Sequence, residues 1–328
     1  MRLRAAAAAL AAVLSFAASA QDARPGALRF ARADEARAAL VADDDWMATT
    51  SPFQRAATLG SAGAVDVPEF KAALARAGHA CSEQEQQRWN AAAATALPRI
   101  REIGLPVPWP VTIVCTDGSD AAGAPYTRGR AIFMPRDGEA GPRDAFVLVH
   151  EIVHVTSRAN PQLATRLYRE LGFEPVADLA WPREWLDARI SNPDAPHSRH
   201  AMQLDTPAGR QWVVPLLVAG RTQLRPGESF FHVLQVRVLA ITPGTNGQPS
   251  QPVRRDGQLL WWPIEALPAY LQRLGGNTGY VLHPEETLAD NIALLALQRP
   301  ARNPALLDRL RAALAGSGAT PSKKEIRP

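Results

Sequence analysis

The chain has 328 residues, 46% of them apolar and 21% charged, a balance ordinary for a globular protein and sufficient for a sizeable buried core. Its formal charge of +4 drops by two if Arg2 and Arg4 are lost with a leader, and no stretch concentrates Lys or Arg on one face, so a nucleic-acid groove is excluded. Beyond the first twenty residues no segment reaches transmembrane length without charge.

Residues 1–20 read as an export signal. Arg2 and Arg4 make a basic start, Ala5 to Ala18 is an apolar run, and Ala18-Ser19-Ala20 is a small-x-small cleavage site. The run is shorter than the ~20 apolar residues that span a bilayer, and Gln21-Asp22-Ala23-Arg24 follows at once. A periplasmic or secreted chain beginning at Gln21, without stable membrane insertion, is therefore expected. Residues 21–105 are expected to form a helical N-terminal portion, with Ala-rich segments around Asp34–Val41, Pro68–Ala77 and Ser82–Ile103 that show no period-2 alternation.

Pro106, Pro108 and Pro110 then punctuate the chain. Val111–Cys115 is a strand candidate ended by Asp117-Gly118, and Gly129–Met134 is a second one stopped by Pro135. Asp144–Arg158 is apolar nearly all round, which predicts a helix buried on several sides, with Asp144 as its cap and Pro161 limiting its end. A helix over Gln162–Leu171 stops at Gly172, and residues 175–198, rich in Pro, Trp and Asp, read as an irregular surface excursion. Trp212–Leu217, Phe230–Ile241 and Gln258–Trp262 are strand candidates of an inserted β-rich subdomain spanning about 199–263. Helices are expected at Ile264–Leu274, Pro284–Arg299 and Pro304–Ala315, with a flexible tail over 316–328. The fold class expected is α+β. Cys81 and Cys115 are expected to pair in an oxidising compartment, since neither has a Cys or His at ligand spacing.

His150-Glu151-Ile152-Val153-His154 has the H-E-x-x-H spacing. At about 100° per residue, positions four apart differ by roughly 40° around a helix, so both imidazoles can reach one metal ion. Glu151 points to the side, where its carboxylate can take a proton from a water activated by the metal. The flanking residues from Val147 to Val155 are uncharged, and burying two His and a Glu without partners would cost several kcal/mol, which a metal offsets.

A catalytic zinc takes three protein ligands and keeps a fourth position open. Two Glu-x-x-x-Asp segments compete for the third place. Glu286, four residues before Asp290, lies on a helix that Pro284 suits at its first turn and that Leu288, Ile292 and Leu295 give a packing face. Asp290 could there accept a hydrogen bond from the far nitrogen of a ligand His. Glu174, before Asp178, is nearer to His154, but Gly172 and Pro182 leave room only for a short helix. Glu286 is preferred, with His200 and Asp194 as further alternatives.

With these two segments the chain resembles the gluzincin superfamily of zinc metallopeptidases, over about Val111 to Leu297. It departs from well-known families in the long separation between the motifs. The resemblance implies a zincin-like catalytic domain over 106–315, with Zn2+ held by His150, His154 and Glu286, Glu151 as general base and acid, and Asp290 supporting a ligand His. It also implies that Gly129–Met134 is an edge strand pairing with an extended peptide or protein substrate, and that Tyr280, His283 or Tyr126 stabilises the oxyanion. The expected activity is hydrolysis of peptide bonds. The alternatives are a non-catalytic cell-envelope binding protein and a hydrolase of a non-peptide amide such as a cell-wall crosslink.

Overall fold

Side-chain caps set the helices of the N-terminal portion. A computed structural model describes residues 28–136, 140–225 and 227–316; the leader at 1–20 and the tail from 317 lie outside the described residues. After β1 (Leu28–Phe30) and α1 (Ala33–Leu40) come α2 (Asp45–Thr49), α3 (Pro52–Thr58) and α4 (Val67–Ala77). Asp44, Ser51 and Asp66 each accept an amide of the following helix, satisfying a donor that has no intrahelical partner. After β2 (Gly78–His79), α5 (Glu83–Glu102) opens on a capping box in which Ser82 and Glu85 exchange hydrogen bonds.

The first sheet is built from this portion together with β3 (Val111–Thr116), β4 (Tyr126–Arg128) and β5 (Ala131–Pro135), in the order β1-β3-β5-β4 with β2 also on β3. β1, β3 and β5 run parallel; β4 is antiparallel to β5. Alternation assigns its two faces. Ile113, Ile132 and Met134 join the main core, whereas Val114 and Phe133 pack with Leu40, Trp46 and Phe70. Replacing any one of the fully buried Ile113, Ile132 or Ile152 by Ala would cost roughly 2 to 5 kcal/mol.

The N-terminal portion is thus not purely helical. Two- and three-residue strands such as β1 and β2 are too short to show a period, and only pairing with β3 defines them. Gly129 also corrects the expected edge strand. It adopts φ +60° in the two-residue turn between paired Arg128 and Ala131, a place that favours glycine, so Gly129–Met134 is split. Its remainder, β5, lies between β3 and β4, and the edge strand is β4.

Next come α6 (Asp144–Ala159), α7 (Pro161–Glu170), β6 (Phe173–Pro175), β7 (His200–Thr206), β8 (Gly209–Ala219), β9 (Leu234–Thr242), β10 (Gln251–Pro252), β11 (Arg254–Arg255), β12 (Gln258–Leu259) and β13 (Trp261–Pro263). The chain closes with α8 (Pro268–Arg273), α9 (Pro284–Ala296) and α10 (Pro304–Ala315). Asp144 is not the cap of α6; that position is Arg143, and the Asp144 carboxylate instead receives both Arg88 nitrogens at 2.8 Å, tying α6 to α5. The expected strand at Phe230 begins with a 3-10 turn over Phe230–His232, and the helix expected from Ile264 is broken at Leu267-Pro268. An antiparallel sheet, β10-β9-β8-β7-β6 with β13 on β9, forms the β-rich stretch. One face, through Met202, Val213 and Val238, joins the same core as α6 and α9; the other carries Val214, Leu239 and Ile241 against Leu179 and Trp185. The fold is α+β. No helix among the described residues is long and apolar enough to cross a membrane.

The excursion between β6 and β7 is irregular, as expected, but it is fastened from both sides. Its base is closed by the β6–β7 pairing and its middle is held by the N-terminal helices. Gln54 and Ser191 exchange hydrogen bonds at 2.8 Å, and the Trp46 indole donates to Ser191 O at 3.1 Å. His197 bridges Asp178 at 2.6 Å and Asp45 at 2.9 Å.

Cys81 and Cys115 form a disulfide that closes a separation of 34 residues. Serine at both positions should lower unfolding free energy by about 3 to 4 kcal/mol on the chain-entropy account, read by denaturant titration. The His197 imidazolium is raised from 6.5 chiefly by its bond to Asp178. Its contribution is full below the unfolded value and fades as pH rises through the raised folded one. The thermal-midpoint difference between wild type and His197→Ala should therefore be larger near pH 6 than near pH 9, and a difference that grows with pH would contradict this assignment.

Candidate metal centre

α6 and α9 pack against each other, and histidines of one facing carboxylates of the other make the site. His150 and His154, one helical turn apart, set their rings 4.6 Å centre to centre. On α9, Pro284 occupies the first turn and His283 caps it, accepting the Glu285 amide through Nδ1 at 3.1 Å. That start aims Glu285, Glu286 and Asp290 at α6. Glu286 Oε2 stands 3.1 Å from His150 Nε2 and 3.5 Å from His154 Nε2.

The far ring nitrogens are already engaged. His150 Nδ1 lies 2.8 Å from Asp290 Oδ1, and His154 Nδ1 lies 2.8 Å from Glu285 Oε1. These carboxylates are themselves held, Asp290 by the Thr278 hydroxyl and Glu285 by the Tyr168 hydroxyl. Donation from Nδ1 fixes each ring's orientation and aims its Nε2 at Glu286. His154 is 1% exposed, yet its Nε2 has no hydrogen-bond partner among the described residues. A buried nitrogen left so is costly unless something binds it.

Electrostatics point the same way. Burial pulls the His150 imidazolium down, but hydrogen bonds to Asp290 and Glu286 outweigh it and lift its pKa to about 10. Burial also opposes charge on His154, but the charges of Asp194 and Glu286 and its hydrogen bond to Glu285 raise it well above the usual range. Glu286 is driven far below the ordinary carboxylate range by the two imidazoles, against its burial. The cluster demands positive charge at its centre, and its nitrogen and oxygen donors fit a divalent cation such as zinc. His150, Glu151 and His154 form one group with ligand atoms mutually within 4.8 Å; His154, Asp194 and Glu286 form another.

Glu151 is 3% exposed, and burial raises its pKa. Its Oε2 accepts the Thr127 hydroxyl at 2.8 Å, which ties the carboxylate to β4. Glu174 is not brought to the site; it sits half-exposed on β6, paired with Arg169 at 2.8 Å. His200 is also outside, against Tyr168 and 3.2 Å from the Thr165 hydroxyl, and burial lowers its pKa to about 4. Asp194, named only as an alternative, does join the cluster. Of the oxyanion candidates, Tyr126 donates to Asp120 inside the second core cluster and His283 is the helix cap. Of the three, Tyr280 has its ring beside the cluster, 6.0 Å from that of His150, with 42% of its surface exposed.

Thr127, Asn192 and Glu285 were not singled out from the sequence. Asn192 donates to Glu286 Oε1, orienting it. Glu285 left one signal, its place beside Glu286, but two acids in a first helical turn also suit the helix dipole alone. No family model matches the chain, and neither curated proteins nor solved structures show significant similarity to it.

Removing either carboxylate behind a histidine should weaken metal binding without deleting a ligand. Asp290→Ala and Glu285→Ala should each reduce zinc affinity by about 10- to 100-fold, measured by competition with a chromophoric chelator.

Proposed function

We propose that the chain is a zinc-dependent hydrolase of the gluzincin type, exported from the cytoplasm and acting on peptide bonds. The observation that carries this reading is the convergence of two carboxylate-backed imidazoles, one with an orphaned buried Nε2, on Glu286 Oε2. The apolar helix α6 against a carboxylate-bearing α9, with a mixed sheet beside them, supports a zincin-like arrangement. The disulfide and the leader sequence support export.

His150, His154 and Glu286 would hold the ion. Zinc in that set supplies a Lewis acid that polarises a carbonyl and lowers the pKa of water. Glu151 would accept the proton at its carboxylate and pass it to the leaving amine; its affinity for a proton, raised by burial, suits both transfers. The Thr127 hydroxyl keeps the carboxylate from turning away. Tyr280 would donate to a developing oxyanion, its phenol held protonated chiefly by the charge of Glu286.

One observation favours a second reading, a cell-envelope protein holding its metal structurally. Asp194 lies with His154 and Glu286, and four protein ligands are characteristic of structural zinc. Metal analysis joined to cleavage of an unbiased peptide library separates the two. Wild type should bind about one zinc and cleave, and Glu151→Gln should keep the zinc while losing about 10²- to 10⁴-fold in rate. A zinc-loaded protein that cleaves no library member, either as wild type or with Asp194→Ala, would favour the structural reading.

A further inference from the structure

Resting on the zinc-hydrolase reading, we propose that Asn192–Asp194 is an internal plug: Asp194 supplies a fourth protein ligand and fills the place of a substrate backbone along β4. Three independent contacts carry this.

The first is at the metal group. Asp194 offers a carboxylate oxygen within 4.8 Å of the ligand atoms of His154 and Glu286, and the buried Nε2 of that His154 has no hydrogen-bond partner among the described residues. A catalytic site needs an open position, and a fourth protein ligand removes it. Asn192 in turn binds Glu286 through its amide, so two loop residues reach the cluster.

The second is on the edge strand. An extended ligand adding to β4 would pair with its outward amide and carbonyl. The Thr127 amide instead donates to Asp194 Oδ1 at 2.6 Å. The Thr127 carbonyl faces Arg158 Nη2 at 3.4 Å, and that same nitrogen also reaches the carbonyls of Pro193 at 3.2 Å and Asp194 at 3.0 Å. The Asp194 carboxylate thus takes the amide position of a bound backbone, while Arg158, which also holds the loop carbonyls, takes the carbonyl position.

The third is the division of the surrounding space. A cavity of about 480 Å³ lined by His154, Arg158 and His283 lies to one side, and one of about 70 Å³ lined by Tyr126, Tyr280 and Leu282 lies to the other. Trp46, Pro193 and Asp194 line both, so the loop tip, backed by Trp46, forms part of the wall between them. Withdrawing it would open one cavity toward the other beside His154. The grip of Gln54 and Trp46 on Ser191 makes the plugged form the resting one.

Cobalt(II) in place of zinc reports the ligand set through its visible absorption, and acetohydroxamate reports an exchangeable position. The wild-type cobalt protein should keep its spectrum in millimolar acetohydroxamate. Asp194→Ala should shift at a concentration at least tenfold lower, and Asp194→Asn, which keeps an acceptor for the Thr127 amide and so protects the fold, should shift likewise. Peptide cleavage should rise in both variants. A wild-type spectrum that responds as readily as the variants', or variants as inert as wild type, would overturn the plug while leaving the metal site standing. A wild type that binds no cobalt at all would instead remove the zinc-hydrolase reading, and the plug with it.

Discussion

Two imidazole Nε2 atoms and one carboxylate oxygen, buried together where α6 crosses α9, are the constraint around which the chain is organised. Polar groups in an apolar interior must be satisfied, and each further layer of side chains answers that demand. Asp290 and Glu285 hold the imidazoles, Thr278 and Tyr168 hold those carboxylates, Asn192 holds Glu286, and Thr127 holds Glu151. The apolar residues of both helices, Leu148, Ile152, Leu288 and Ile292 among them, seal the arrangement from the other side. A shift of either helix would break several of these bonds together, so packing and chemistry are set by one geometry.

The elements that were legible in the sequence are those whose information is local. α6 and α10 lie where their apolar patterns place them, and the H-E-x-x-H spacing makes a statement about one helix that needs no partner. Choosing between Glu174 and Glu286 required the tertiary structure, because both have the same spacing and differ in what they face. Glu174 ended on a short strand beside Arg169, with no helix to aim it. The contribution of Thr127 was invisible for a related reason. A three-residue strand carries no period, and the role of this threonine arises only when β4 is laid against α6.

The N-terminal portion is more than an appended bundle. It supplies β1 and β2 to the first sheet, is joined to β3 by the disulfide, and sends Trp46 and Gln54 to grip the excursion. Arg128, at the end of β4, completes the link by placing its guanidinium on Asp44 and on the carbonyls of Leu40 and Ala42, over the Trp46 ring. The segment that reads in sequence as the plainest part of the chain therefore fixes the position of the loop nearest the candidate centre.

The brevity of β4 has a consequence for recognition. With three residues and both outward groups of Thr127 already engaged, any extended guest must exchange bonds with the loop rather than add bonds to an empty edge. The gain on entry is then the difference between the guest's backbone hydrogen bonds and the side-chain bonds from Asp194 and Arg158 that they replace, each worth on the order of 1 to 3 kcal/mol net. Such an exchange is nearly indifferent to the guest's main chain. Discrimination among guests falls to whatever their side chains find in the spaces on either side, and the rate of entry to how often the loop lets go.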